Sequence, residues 1–217
     1  MGHLFVVADP TQGFLRRGAS WRSLGIAARG RSQQLKRSYR STQEILNFAT
    51  LFYRLRLPDE SDPDVLAPDL LNMPNGVLPA LVPLASHQDE NARVVNEIEA
   101  LVRQGLPKRD LLVLHANWQG VAALTQLINR RLGRNAAMDP KDTYPGDYVR
   151  VTTLNAGTGL ESPIVFLVGL HELFEEEQSL RLSDEEREAL MAENTKKIYM
   201  AATRAGQRLV CTYVGQL

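Results

Sequence analysis

Four short segments in this chain carry side chains suited to phosphate and nucleotide chemistry. The first is Val6-Val7-Ala8-Asp9-Pro10-Thr11-Gln12, followed by Arg17-Gly18-Ala19, and the second is Leu35-Lys36-Arg37-Ser38-Tyr39-Arg40-Ser41. The third runs from Val151 through Thr153, Asn155, Gly157, Thr158 and Gly159 to Glu161, and the fourth is Ile198-Tyr199-Met200-Ala201-Ala202-Thr203-Arg204-Ala205. Arginine is permanently charged and offers paired N–H donors to phosphate oxygens, so Arg40 and Arg204 are natural phosphate ligands. Each segment also has an ordinary reading. An arginine at a helix end is commonly a surface residue, and a Gly-x-Gly between strands is commonly a turn. The turn Gly157-Thr158-Gly159 could also cradle a phosphate, but it does not open a helix and lacks the dipole that such sites use. His115, Asn117 and Trp118 follow a short apolar run. Trp118 is either a platform for a nucleic-acid base or a helix-packing residue.

Charge distribution sharpens the phosphate reading. The 217 residues hold 25 basic and 25 acidic side chains, a net of zero, which argues against a uniformly basic polyanion binder. Residues 1–57 nevertheless carry a net +8, while residues 58–140 and 141–217 carry −4 each. The basic quarter is either a solvated helix face or a surface that meets phosphate. A single cysteine, Cys211, excludes a disulfide framework and a multi-cysteine zinc site, and no metal-ligating residues are expected. No apolar run reaches the length of a membrane span and no secretory leader is present, so a soluble cytoplasmic protein is expected.

The elements that must position these residues alternate in type. Leu4 to Ala8 reads as a buried strand, residues 20–27 as a short helix, and Gln34 to Tyr39 as an extended piece. Ser41 with Glu44 reads as a capping box opening a helix whose apolar face is Ile45, Leu46, Phe48, Ala49, Phe52 and Tyr53. Residues 57–76 are rich in Pro, Asp and Asn and read as a loop. Then come a strand over residues 77–84 and a helix over 89–104 with Ala92, Val95, Ile98 and Leu101 inward. A strand at 111–114, a helix at 121–132 and a loop at 133–146 follow. Strands at 149–154 and 164–168 come next, with an ambiguous acidic stretch at 172–177. A long helix from Ser183 to about Arg204 and a strand at 209–214 complete the pattern. Such alternation predicts an α/β fold with a doubly wound, mainly parallel sheet and helices on both faces. Ligands are then expected at loops beyond the carboxyl ends of strands.

Taken together and in this order, the four segments resemble motifs III to VI of superfamily-one DNA helicases of the UvrD/Rep/PcrA type, from Val6 to Val214. The most specific match is Tyr199-Met200-Ala201-Ala202-Thr203-Arg204-Ala205, similar to that family's Y-V-A-x-T-R-A. Next is Tyr39-Arg40-Ser41, similar to N-Y-R-S with Ser38 in place of Asn. The resemblance implies a RecA-like motor domain of an ATP-dependent 3′–5′ helicase or translocase, with DNA repair among its associations. It implies that Arg40 and Arg204 reach the γ-phosphate of ATP and that Gln12 approaches the γ-phosphate or attacking water. Tyr39 would stack on adenine, and Glu161, within Gly159-Leu160-Glu161, would meet the ribose or fix the loop. On the DNA side it implies contacts from Thr153 and Asn155, with Phe14, Asn117 and Trp118 as further candidates. The partners implied are single-stranded DNA and the first motor domain of the same polypeptide.

Departures and absences qualify this. The family has His at the position of Asn155 and Lys at that of Thr158. Residues 12–19 are one residue shorter than Q-S-I-Y-x-W-R-G-A. No Gly-x-x-x-x-Gly-Lys-Ser/Thr phosphate cradle and no magnesium-binding Asp-Glu pair before residue 12 are present. ATP and Mg2+ are therefore expected only in a longer protein, with neither held tightly by this chain alone, which should not hydrolyse ATP. The expected division is a remnant of the first motor domain at residues 1–30 and the second RecA-like domain at 31–217. Arg40 to Thr152 leaves no room for a large accessory insertion. The alternative is a degenerate helicase half, a non-enzymatic module that binds nucleic acid or protein.

Overall fold

The computed structural model describes residues 41–58, 73–142 and 145–215. The expected strand at Leu4 to Ala8, the helix at 20–27, the extended piece before Arg40 and the domain remnant at 1–30 lie outside them. Helix α1 (Gln43–Arg56) leads into strand β1 (Ala80–Leu84), helix α2 (His87–Arg103), strand β2 (Leu111–His115) and helix α3 (Trp118–Leu132). Strands β3 (Ala137–Met138), β4 (Val149–Thr153) and β5 (Ser162–Val168) follow, then helices α4 (Leu170–Glu177) and α5 (Asp184–Ala202) and strand β6 (Ala205–Val214). The six strands form one sheet in the order β1-β6-β5-β2-β4-β3, and every pairing is parallel. The expected α/β fold with a parallel sheet is what the chain adopts.

Period-two alternation explains the layers. Leu111 and Val113, Ile164, Phe166 and Val168, and Val149 and Val151 face one side, where they pack against Val94, Val95 and Ile98 of α2 and Leu124 and Ile128 of α3. Leu112, Leu114, Val165, Leu167, Leu209 and Cys211 face the other, against Ile45 and Ala49 of α1, Leu170 and Leu173 of α4, and Ile198 and Ala201 of α5. A strand buried on both faces needs apolar residues at every position, which is why the central strands read as unbroken runs. Leu111 to Leu114 are each fully buried. Within this core the Cys211 thiol is pushed up to about 12 by burial, which leaves it an inert packing group.

Several boundaries differ from expectation. Thr42, not Ser41, is the N-cap of α1, and its side chain accepts no capping bond. The anticipated Ser41/Glu44 box does not form because both side chains have tertiary partners. Ser41 Oγ donates to the Ala205 carbonyl at 2.8 Å, and Glu44 Oε2 accepts from the Gly76 N–H at 2.7 Å. Strand β1 begins at Ala80 rather than at residue 77, because its pairing with β6 first forms at Ala80–Val210 and Pro79 has no N–H to give. On α2, Val94 is buried in place of the expected Ala92, which is exposed. The expected loop after α3 holds the short strand β3, pinned to α3 by Asn129, whose side chain exchanges two hydrogen bonds with Ala137. The acidic stretch is helical, with Leu173 and Glu177 inward. Helix α5 opens on a full Ser183/Glu186 capping box but stops at Ala202, and β6 starts four residues earlier than expected. Thr203 ends the helix, its Oγ1 donating back to the Met200 carbonyl at 2.8 Å.

Candidate functional site

The predicted residues separate onto opposite edges of the sheet. Arg204 closes the α5–β6 turn at the amino-terminal edge, and its carbonyl accepts from the Ser162 N–H at 3.1 Å. Glu161, the preceding residue, is exposed there, and its own carbonyl accepts from Arg150 Nη2 at 2.8 Å. Gly159 stands two residues back with a φ of +83°, a conformation open chiefly to glycine. Arg204 is buried, 8% exposed, and its Nε donates to the Met200 carbonyl at 3.2 Å. That acceptor is in the last turn of α5, where the helix dipole favours a cation. Arg204, Glu161 and Gly159 thus stand at the amino-terminal ends of the strands, not at the carboxyl ends.

The same edge receives Ser41, the last residue of the second segment. Ser41 is 1% exposed, and besides Ala205 its Oγ lies 3.4 Å from the Thr203 carbonyl. Two residues 164 apart in sequence are thereby fastened together, and each directly follows one of the two candidate arginines. Arg40, Tyr39, Gln12 and Phe14 themselves lie outside the described residues.

The carboxyl-terminal edge gathers the remaining candidates. His115 ends β2, pairing with Thr153 of β4 on one side and Val168 of β5 on the other. Its Nδ1 accepts from the Asn117 N–H at 3.0 Å. Asn117 in turn caps α3, its Oδ1 accepting from the Gly120 N–H at 2.7 Å, and its Nδ2 donates to Glu172 of α4. Gly120 rests against the His115 ring so closely that no side chain fits between them. Trp118, the first residue of α3 after this bonded turn, is 56% exposed. Burial, followed by the neighbouring His171 and His87, lowers the His115 pKa to about 4, so the ring is neutral at physiological pH. Burial also raises the Glu172 carboxyl above its ordinary range. Thr153 Oγ1 accepts from the Ala156 N–H at 3.3 Å, and Asn155 is exposed. Thr158, at the position of the family's lysine, turns its hydroxyl onto the Asn155 carbonyl at 3.0 Å.

One short segment joins the edges. From Thr153 the chain passes through Leu154 and the 3-10 turn Asn155–Gly157 down the sheet face to Ser162. Six residues of β5 separate these levels, about 20 Å at strand rise. Gly157 passes over Leu114 where a Cβ would stand 2.7 Å from Leu114 Cδ2, so a larger residue would have to push that buried side chain aside. Residues the sequence reading did not anticipate lie at the carboxyl edge. His87, His171 and Glu172 offer ligand atoms all within 4.8 Å of one another. His87 and His171 stand 84 positions apart, with no spacing signal that could have joined them.

No family model matches the chain. The fold is similar to a solved structure: that of the C-terminal domain of a possible DNA helicase from Lactobacillus plantarum superimposes with a TM-score of 0.55. That likeness covers 83% of this chain and 89% of the other at 20% identity, and it establishes the fold. In sequence, 78 residues are 40% identical to the ATP-dependent DNA helicase PcrA of Bacillus subtilis. The match spans 35% of this chain and 10% of that much longer relative.

Proposed function

We propose that this chain is the second motor domain of an ATP-dependent DNA helicase or translocase with 3′–5′ polarity. The observation that carries the reading is the Ser41–Ala205 hydrogen bond. It sets the segment after Arg40 against the segment after Arg204, as required of two arginines that serve one γ-phosphate. Arginines placed there would stabilise charge developing on the transferred phosphoryl group. Gln12, Tyr39, Glu161 and Gly159 complete the nucleotide side in this reading. Magnesium and the phosphate cradle belong to the first motor domain, whose closure against this one would drive the cycle.

Single-stranded DNA would cross the opposite edge, over Thr153, Asn155, Asn117 and Trp118, with Phe14 as a further stacking group. Trp118 suits this task because an exposed indole on a bonded turn meets a base without first being ordered. The segment from Thr153 to Ser162 touches both edges, so it is the natural element to couple strand grip to nucleotide state. A second reading, a degenerate half that binds nucleic acid or protein without catalysis, is favoured by Thr158, whose hydroxyl closes the loop where a lysine would reach outward.

Titration with a single-stranded oligonucleotide tests the DNA edge. The account predicts binding that weakens linearly in log–log terms as salt rises. Trp118→Ala should weaken it by about 1–3 kcal/mol, the scale of one base stacked on an aromatic ring. The melting temperature should hardly move, since the side chain is mostly exposed. Binding indifferent to both salt and Trp118 would contradict this edge as the DNA surface.

A further inference from the structure

Beneath the turn that carries Trp118 the fold collects three histidines and two glutamates. His87 and Glu90 come from the first turn of α2, His115 from the end of β2, and His171 and Glu172 from the first turn of α4. Glu90 is a buried carboxylate, 1% exposed, whose Oε1 accepts from the Gly169 N–H at 3.0 Å and Thr212 Oγ1 at 2.7 Å. Both of those donors are neutral. A buried carboxylate among such partners favours a cation close by.

His171 supplies the independent observation. It is 3% exposed, and its Nε2 is a buried polar atom with no hydrogen-bond partner. Its other nitrogen, Nδ1, accepts from the Val214 N–H at 3.0 Å. The His87 and His171 rings lie 4.9 Å apart between centroids. Buried polar atoms are rarely left without a partner, and this one belongs to a ring grouped with two other ligand-type side chains, which points to a missing ligand.

We propose that His87, His171 and Glu172 form a binding site for a divalent first-row transition ion, with Zn2+ the best match to the donor set. Two imidazoles and one carboxylate, with a further position open to water, are a zinc arrangement. Ligand atoms now within 4.8 Å would have to close to roughly 3.4 Å, the spacing of tetrahedral ligands at about 2.1 Å from the ion. His87 is exposed on the rim, so it can swing inward and also opens a path from solvent. Asn117 binds Oε2 of Glu172, which orients the carboxylate and leaves Oε1 for the ion.

Binding has a necessary structural consequence. Because Val214 donates to Nδ1, the neutral His171 ring carries its proton on Nε2. An ion on Nε2 displaces that proton to Nδ1, which then cannot accept from Val214. The ring remains neutral, no bond other than this hydrogen bond is lost, and the Val214 amide is released. Occupancy of the site is thus tied to the last rung of β6, independently of any role in helicase action.

The test uses the 217-residue chain with Zn2+ followed by calorimetry, Co2+ followed by visible absorption, and the Val214 amide followed by NMR. One ion should bind per chain, and the Val214 amide resonance should move as it does. His87→Ala and Glu172→Gln should each weaken binding at least about tenfold, the smaller loss seen even for groups that only support a ligand. Neither variant should change the fold, since His87 is exposed and glutamine keeps the Glu172 shape. Absence of saturable binding, binding unchanged in both variants, or an unmoved Val214 amide at saturation would each overturn the proposal.

Discussion

His115 shows how one side chain sets the geometry of an edge. Its ring lies under Gly120, accepts from Asn117, and so shapes the turn that displays Trp118. That task requires a neutral imidazole, since Nδ1 must keep its lone pair. The folded pKa, about 4, lies below the ordinary 6.5, so between those values the unfolded chain binds more protons. Stability is therefore complete above pH 6.5 and is lost progressively as pH falls toward 4, by about 3 kcal/mol in all at 1.36 kcal/mol per unit. Urea unfolding followed at about pH 7 and about pH 5 should show this loss, and His115→Gln should flatten the dependence. An unchanged pH slope in that variant would remove His115 from the account. The sequence pointed to His115, Asn117 and Trp118 as a group, but it left Trp118 undecided between platform and packing. What the sequence does not show is that the turn carrying the exposed Trp118 is bonded through Asn117 to Gly120 and to Glu172, 55 positions away.

Among the elements, α5 and the central strands were legible because their signals are local. Ser183 and Glu186 sit three residues apart and form the box their spacing predicts, and four-residue apolar runs became the buried strands. The same pattern at Ser41 and Glu44 misled because tertiary partners competed for both side chains. A capping bond is worth about 1 kcal/mol, so a buried acceptor elsewhere readily outweighs it. Ser41→Ala should therefore cost about 1–3 kcal/mol, because it strips the Ala205 carbonyl of a buried donor while leaving the helix cap intact. Denaturant unfolding would measure it. A loss of a few tenths would mean that the contact does not hold α1 to β6. Strand β3 was missed for a different reason: two residues hold too little pattern to register, and Asn129 fixes them from α3.

At the scale of the whole molecule, the zero net charge conceals an ordered separation. Among the described residues, Arg204, Glu161 and Gly159 stand at the amino-terminal edge of the sheet and Thr153, Asn155, Asn117 and Trp118 at the carboxyl-terminal edge, with residues 154–161 running between them. Order along the chain revealed the segments, whereas the topology β1-β6-β5-β2-β4-β3 assigned them to edges, and no sequence period encodes that order. The central claim is that Arg204 acts on ATP while DNA is held elsewhere. DNA-stimulated ATP hydrolysis, measured in a polypeptide that joins this domain to a first motor domain, tests it most directly when wild type is compared with Arg204→Ala. The account predicts a fall of about a thousandfold or more, the scale of a lost arginine in phosphoryl transfer, with single-strand affinity unchanged. Hydrolysis retained in the variant would contradict it.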